Sequence, residues 1–220
     1  MLARHVQWAN LDGLIYILDL KSETYFALEP AYRERWEAIA RYDRSPTNFF
    51  DDEDLYQTAK ANGWLTNVAK PGCKTRFVGI RALPRALRAS PLAAWACLAY
   101  VSASLQLRGF YELMERLQSA PVPVDEVLRE TRREAAEKSF LCAERYFLSS
   151  RGADDCLSRS LALYLFFVVC CGLSARHHIG IRRYPFEAHA WVTHRGTALL
   201  EKQLRVEEFS ELTSFGEVTR

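Results

Sequence analysis

The sequence has few cysteines for its length and lacks the pattern of a secretion signal. Six cysteines in 220 residues are too few for a small scaffold held by disulfides. Residues 1–20 contain no basic segment followed by an apolar core and a small-residue cleavage site. The longest apolar runs, residues 92–107 and 161–173, are shorter than the roughly 20 residues of a spanning helix. We therefore expect a cytoplasmic protein with free thiols, which leaves open an association with a membrane complex.

An excess of basic charge is also absent. The formal net charge is +2, with 8 Lys and Arg against 11 Asp and Glu in residues 1–72, and 21 against 16 in residues 73–220. Neither part carries the positive excess of a polyanion-binding protein. The sequence contains no GxxxxGK[ST] phosphate-binding loop, so we expect no cofactor on this chain. The composition argues against nucleic-acid binding.

The residue pattern predicts an α+β protein with two domains, residues 1–70 and 76–220. Pro71 and Gly72 lie between charged residues and indicate a linker at 70–74. The first domain is predicted to contain three strands, two helices and a return strand, at residues 5–8, 14–19, 24–28, 30–44, 51–62 and 64–66. This order of elements is winged-helix-like. Four acidic residues, 51–54, open its second helix and argue against contact with DNA phosphates.

Residues 14–28, the two helices and Gly63-Trp64-Leu65 resemble the RiPP recognition element, a peptide-binding domain of enzymes that mature ribosomal peptides. The resemblance implies that a precursor's leader peptide adds a strand to the third strand and rests on the last helix. The implied leader-binding residues are Tyr25, Phe26, Ala27, Leu55, Tyr56 and Ala59. A core role for half of these residues is the alternative, because strand residues alternate faces and Leu55 and Ala59 share one helical face.

The second domain is predicted to begin with helices and to end in strands. Residues 91–117 and 124–148 have helical patterns, and an almost entirely apolar helix follows from Cys156 to a glycine stop at Gly172. Either Asp154 or Asp155 is expected to cap this helix. Three strands are predicted after it, at residues 175–182, 189–193 and 197–202.

Cys156 is the candidate nucleophile, because a helix N-terminus favours a thiolate and can stabilise an oxyanion. A thiolate needs a neighbour that exchanges protons near neutral pH, and His189 is the best candidate. A three-residue loop at 194–196 would pair Thr193 with Thr197 and therefore His189 with Glu201. Cross-strand partners share a face, so Glu201 is predicted to orient the imidazole.

Cys97, Cys142, Cys170 and Cys171 are predicted to pack as small apolar side chains. His177 and His178 occur close in sequence to Cys170 and Cys171, a combination that resembles a zinc ligand set. Neighbouring strand residues face opposite sides, and neighbouring helical residues differ by about 100°. Four convergent ligands are therefore not expected, and we predict no metal site.

Several spaced pieces of the second domain resemble the lasso-peptide B proteins, the leader peptidases of lasso-peptide biosynthesis. The pieces are Asp155-Cys156-Leu157, Ser160-Leu161-Ala162-Leu163, His178-Ile179-Gly180-Ile181-Arg182, Pro185-Phe186 and His189-Ala190-Trp191-Val192. The resemblance covers about residues 76–210 and implies a transglutaminase-like, papain-like cysteine protease fold. It implies that Cys156 is the nucleophile and His189 the acid and base, with Glu201 where the family has an aspartate. Gln203, on the same predicted face, is the alternative third member.

The resemblance also implies a function and partners. The chain would bind the leader of a lasso-peptide precursor and cleave the bond between leader and core. A separate ATP-dependent macrolactam synthetase would then close the ring, and any nucleotide needed for cleavage would lie on that partner. Two alternatives remain: an escort that delivers the precursor with weak or no catalysis, and an acyltransferase that resolves the thioester with an amine.

Overall fold

The structure is a computed structural model that describes residues 2–41, 53–66, 89–118, 129–147 and 155–216. The chain divides into two compact units, Met1–Gly72 and Cys73–Arg220, which are described separately below. The linker predicted at residues 70–74 lies outside the described residues. Within the described ranges, no helix combines the length and the apolar character needed to cross a membrane.

The described part of the first unit is a three-stranded antiparallel meander followed by two short helices. Its strands, in the order β1-β2-β3, are β1 (Val6–Leu11), β2 (Leu14–Asp19) and β3 (Thr24–Leu28). A two-residue turn joins β1 to β2, and its residues Asp12 and Gly13 both have positive φ, 50° and 85°. This geometry matches the twist of a hairpin and explains the glycine. A 3-10 turn leads into α1 (Arg33–Arg41), and α2 (Glu53–Ala61) follows.

Two tryptophans fill the core of this unit. Trp36 and Trp64 are almost completely buried and contact each other edge to face, with ring centroids 5.9 Å apart. The Trp64 indole donates to Asp19 Oδ2 over 3.1 Å, which satisfies its buried N–H. The return strand predicted at residues 64–66 is wrong in extent. It is reduced to one antiparallel bridge between Leu65 and Leu2, because Trp64 turns into the core directly after α2.

Three helices open the described part of the second unit. They are α3 (Pro91–Gln118), α4 (Arg129–Phe147) and α5 (Cys156–Leu165), and α5 continues as a π-helix over Phe166–Cys171. Gly109, with φ 77°, interrupts α3. Residues 160–168 of α5 and the π-helix are all buried, as their apolar pattern predicted. Gly172, in the left-handed conformation, ends this segment, which confirms the predicted glycine stop.

A four-stranded antiparallel sheet follows in the described part of the second unit. Its strands are β4 (Arg176–Arg182), β5 (Glu187–His194), β6 (Thr197–Ala198) and β7 (Ser210–Gly216). They lie in the order β6-β5-β4-β7. The chain between β6 and β7 contains the short helix α6 (Gln203–Val206) and packs on Trp191 through Val206 and Phe209. The described residues therefore mix helices with antiparallel sheets, which confirms the predicted α+β class. Strand β7 is not among the predicted strands.

Candidate active site

Cys156 lies at the first position of α5. Asp155 caps the helix, and its Oδ1 accepts a hydrogen bond from the backbone N–H of Ser158 over 3.0 Å. This confirms the predicted cap and selects Asp155 from the two candidate aspartates. Cys156 is half-buried. The thiol therefore lies at the positive end of a helix in a partly exposed residue, the environment expected for a reactive cysteine.

His189 contacts both Cys156 and Glu201. Its Nε2 lies 2.6 Å from Glu201 Oε2, which leaves Nδ1 for the thiol. Hydrogen bonds with Cys156 and then with Glu201 raise the pKa of His189 to about 9, against burial, which lowers it. The imidazole is therefore protonated at neutral pH and can donate to Glu201 on one side and to Cys156 on the other. This is the arrangement of a cysteine–histidine–carboxylate triad.

The route by which His189 and Glu201 meet differs from the prediction. The hairpin loop has two residues, Arg195 and Gly196, with φ 52° and 82°, so Thr193 pairs with Ala198 instead of Thr197. Two positive φ values make a tight hairpin turn that the predicted three-residue loop did not anticipate. The strand predicted at residues 197–202 is wrong in length, since β6 ends at Ala198.

Leu200 corrects for this change of register. In the observed register Glu201 would face away from His189 if β6 continued, because strand residues alternate faces. Leu200 has φ 58°, a left-handed conformation that breaks the extended chain just before Glu201. The carboxylate is thereby directed to His189. Gln203, the alternative third member, instead accepts from the backbone N–H of Ala198 over 3.0 Å and donates to Glu207.

Two further charged residues, Arg159 and Glu144, are connected to Glu201: Arg159 contacts Glu201, and Glu144 contacts Arg159. Neither was predicted from the sequence. Arg159 Nη1 lies 3.6 Å from Glu201 Oε1. The same guanidinium donates through Nε to Glu144 Oε1 and through Nη2 to Glu144 Oε2, the latter over 3.4 Å. The sequence signal for Arg159 is its spacing of three residues from Cys156, which places both on one side of α5. Glu144, on α4, has no comparable local signal.

A row of flat rings supports His189 on its sheet face. Its imidazole lies 6.1 Å from the Trp191 ring and 5.0 Å from the Phe209 ring. Trp191 in turn stacks on His178 at 5.2 Å with an interplanar angle of 5°. Gly180, opposite His189 in the sheet, leaves the space that the indole occupies, because a Cβ there would approach Trp191 Cη2 to 2.8 Å. Trp191 therefore packs beneath the site.

His178 forms a second histidine–glutamate pair on this face. Its Nδ1 lies 2.6 Å from Glu211 Oε2, and its Nε2 lies 2.8 Å from Thr193 Oγ1. Burial lowers the pKa of His178, although Glu211 raises it. His177 faces the opposite side of β4, where its Nε2 lies 2.9 Å from Ser160 Oγ, and complete burial lowers its pKa to about 3.

Cys97, Cys170 and Cys171 have the features of packing residues, whereas Cys142 is exposed, so the packing role predicted for that cysteine is wrong. Cys97 and Cys170 are buried, with their Sγ atoms 3.6 Å apart, and their hydrogen bond raises the pKa of Cys97. Burial likewise raises the pKa of Cys171. Among the residues that the structure describes, no three His, Cys, Asp or Glu side chains are grouped in a way that could hold a metal ion.

The predicted leader-binding residues divide into two groups in the first unit. Leu55 and Ala59 are buried in its core, and Phe26 packs against Trp64 with ring centroids 4.8 Å apart. The other three are accessible: Tyr25 is half-buried, and Ala27 and Tyr56 are exposed. β3 is one of the two outer strands of the three-stranded sheet within the described residues, and β1 is the other.

Comparison with known proteins bears on the second unit. No curated protein and no solved structure matches the chain. Residues 97–214 match the transglutaminase-like superfamily, and this segment covers more than half of the chain. It contains Cys156, His189 and Glu201, together with the helices and strands that hold them. The chain therefore belongs to the transglutaminase-like superfamily.

Proposed function

We propose that the chain is a cysteine endopeptidase that binds the leader of a lasso-peptide precursor and cleaves the bond between leader and core. The observation that carries the chemistry is the contact of His189 with both a half-buried helix-terminal Cys156 and the carboxylate of Glu201. Membership of the transglutaminase-like superfamily is compatible with such a thiol enzyme. The substrate class rests on the resemblance of the Cys156, Gly180 and His189 motifs to the lasso-peptide B proteins.

In the first half-reaction, Cys156 Sγ attacks the carbonyl carbon of the scissile bond. The carbonyl electrons move to oxygen, and the positive N-terminus of α5 stabilises the oxyanion. The tetrahedral intermediate collapses, the C–N bond breaks, and His189 gives its proton to the departing amine of the core. The leader then remains attached to Cys156 as a thioester.

In the second half-reaction, His189 acts as a base. Acylation removes the hydrogen bond between Cys156 and His189, which makes the largest contribution to the raised pKa of His189. The imidazole, which has given its proton to the departing amine, therefore stays neutral and can take a proton from the water that attacks the thioester carbonyl. The C–S bond breaks, the leader leaves as a carboxylic acid, and the thiolate–imidazolium pair is restored.

The first unit is proposed to hold the leader. The outer position of β3 supports the addition of a peptide strand by main-chain hydrogen bonds. Among the predicted contacts, Tyr25, Ala27 and Tyr56 are accessible to such a peptide. Leu55 and Ala59 would act from within the core by shaping the surface above them. The released core would pass to an ATP-dependent macrolactam synthetase.

The experiment incubates the protein and its synthetase with a leader–core peptide and follows peptide masses. Cleavage predicts two fragments whose summed mass exceeds that of the substrate by one water. Cys156→Ala is expected to abolish cleavage and retain leader binding, measured by fluorescence anisotropy. Tyr56→Ala is expected to weaken binding, with Tyr146→Ala, another exposed tyrosine, as the matched control.

Other outcomes would replace the proposal. An unchanged peptide that still binds would identify an escort, and a leader adduct formed with an amine but without water would identify an acyltransferase. Persisting cleavage by Cys156→Ala would refute the nucleophile assignment. The hydrogen bond between Glu201 and His189 favours catalysis over the escort, because an inactive site has no need of an oriented imidazole.

A further inference from the structure

We infer that Arg159, held in place by Glu144, is a positioning residue that fixes Glu201 against His189. This inference rests on the proposed catalytic roles of Cys156 and His189, and it adds two residues from two helices to the site. It concerns orientation: Arg159 contacts Glu144 and Glu201, and it acts on the imidazole through the carboxylate of Glu201.

The first argument is that the two carboxylate oxygens of Glu201 contact different partners. Oε2 lies 2.6 Å from His189 Nε2, and Oε1 lies 3.6 Å from Arg159 Nη1. The terminal torsion of a glutamate is broad, so one contact leaves the carboxylate plane poorly defined. A second contact at the other oxygen defines the plane and holds Oε2 toward the imidazole.

The second argument is the burial of the charge. The side chain of Glu201 is 12% exposed, so its carboxylate has lost most of its water. A buried carboxylate needs partners of opposite charge or donors, and otherwise takes up a proton. Arg159 supplies this opposite charge, because its Nη1 lies 3.6 Å from Glu201 Oε1.

The third argument is the way in which Arg159 itself is held. Its Nε and Nη2 donate to the two oxygens of Glu144, an approach in which two parallel hydrogen bonds fix the guanidinium plane. The Glu144 side chain is 11% exposed, so this pair is well shielded from solvent. Nη1 is then directed to Glu201. A lysine would keep the charge of Arg159 but lose this fork geometry.

The fourth argument is the place of Arg159 in the fold. Cys156 and Arg159 belong to α5, whereas His189 belongs to the sheet and Glu201 to the chain that follows β6. A thiol and an imidazole on separate elements need a cross-link that keeps them in register. The Arg159–Glu201 contact joins the helix of the nucleophile to the acid of its base, and Glu144 anchors this link to α4.

The experiment measures the alkylation of Cys156 by iodoacetamide against pH, resolved by mass spectrometry, and titrates the His189 ring by NMR. These readouts need no peptide substrate, so they test the inference even if leader cleavage proves wrong. Arg159→Gln is expected to slow alkylation at pH 7 by about 10- to 100-fold, the cost of misplacing a catalytic group. Arg159→Lys and Glu144→Gln should each slow alkylation less than Arg159→Gln does.

The NMR titration separates orientation from simple charge. If Arg159 orients Glu201, Arg159→Gln lowers the pKa of His189, because its carboxylate partner is weakened. If Arg159 acted as a bare positive charge, its removal would raise the pKa of His189. If it were merely structural, that pKa would not move in a variant whose circular dichroism is native. Either of the last two results overturns the inference.

A double-mutant cycle closes the test. Arg159→Gln is expected to have little further effect on Cys156 alkylation in the Glu201→Gln background, because it acts through that carboxylate. Additive effects would overturn the inference. If Arg159→Gln does not fold, the same cycle is run with Arg159→Lys. Arg145→Gln, an exposed arginine next to Glu144 on α4, is the matched control and should leave alkylation unchanged.

Discussion

Two histidine–glutamate pairs lie on the same face of the second unit's sheet, and the pKa values of their imidazoles are shifted in opposite directions. His189 and His178 each have a ring nitrogen 2.6 Å from a glutamate oxygen. Both rings stack on Trp191, which lies between them. Yet the pKa of His189 is raised to about 9, whereas the pKa of His178 is lowered.

The difference arises from what surrounds each pair. His189 has Cys156 at its other nitrogen and a glutamate that is 12% exposed, so two groups that can carry negative charge favour the imidazolium. His178 has the neutral hydroxyl of Thr193 at its other nitrogen, and burial is the largest influence on its pKa. Its partner Glu211 is 43% exposed and also accepts from Ser214. A histidine–glutamate contact therefore does not by itself raise the pKa of the imidazole.

The largest expected effect comes from removing each imidazole in turn. His189→Gln should reduce Cys156 alkylation at pH 7 by about 100-fold or more, because general acid–base groups contribute roughly 10²–10⁴-fold. His178→Gln should change it by less than about tenfold, since His178 contacts Thr193 and Glu211. Alkylation is followed by mass spectrometry with Cys142, which is exposed, as internal reference. Equal losses in the two variants would contradict the distinction between the pairs.

The second-largest difference between the two pairs is expected in how the free energy of unfolding changes with pH. His189 has its folded pKa raised from 6.5 to about 9, so its contribution to stability is complete below about pH 6.5 and is lost as pH rises through 9. The shift corresponds to about 3 kcal/mol at most. Urea unfolding at pH 6 and pH 9.5 should show a smaller decrease in His189→Gln than in wild type.

The contribution of His178 to stability changes with pH in the opposite direction. Its folded pKa is lowered, so protonation of the unfolded chain destabilises the fold as pH falls below about 6.5. Urea unfolding between pH 7 and pH 5 should therefore show a smaller acid loss in His178→Gln than in wild type. A larger acid loss in that variant would disprove the assignment of a neutral, buried His178.

Gly180, which lies between the two pairs, provides a steric test. A Cβ at this position would lie 2.7 Å from the Ser210 carbonyl oxygen and 2.8 Å from Trp191 Cη2, distances that require the backbone or the indole to move. Gly180→Ala should cost about 1–3 kcal/mol in the free energy of unfolding, as overpacking does. The cost should be smaller in a Trp191→Phe background, where the ring is smaller. If the loss in the free energy of unfolding is the same in both backgrounds, the clash is with the Ser210 carbonyl oxygen instead of the indole.

The smallest expected effect is that of Glu211. Glu211→Gln should lower the free energy of unfolding by less than about 1 kcal/mol, because exposed ion pairs contribute little. It should leave Cys156 alkylation close to wild type, whereas Glu201→Gln should slow it strongly. Thermal unfolding and alkylation of both variants make the comparison. A loss of alkylation in Glu211→Gln equal to that in Glu201→Gln would show that the two pairs work together.

Local signals in the sequence predicted much of this structure. The Asp155 cap, the Gly172 stop and the apolar surface of α5 depend on neighbours within a few residues, so they are readable along the chain. The contact between His189 and Glu201 was predicted from a hairpin register that proved wrong by one residue. It survives because Leu200 adopts a left-handed conformation, which no residue preference in the sequence indicates.

The sequence by itself determined where a helix would present a thiol and which strand would carry its histidine, because caps, glycine stops and residue periodicity act locally. Only the tertiary structure decided how His189 is charged, since this depends on which groups reach each imidazole. It also decided that Arg159 and Glu144 would join the site, 15 residues apart on different helices. The charged groups that surround a buried side chain come from distant segments of the chain, because packing brings those segments together. Local residue patterns do not predict such contacts.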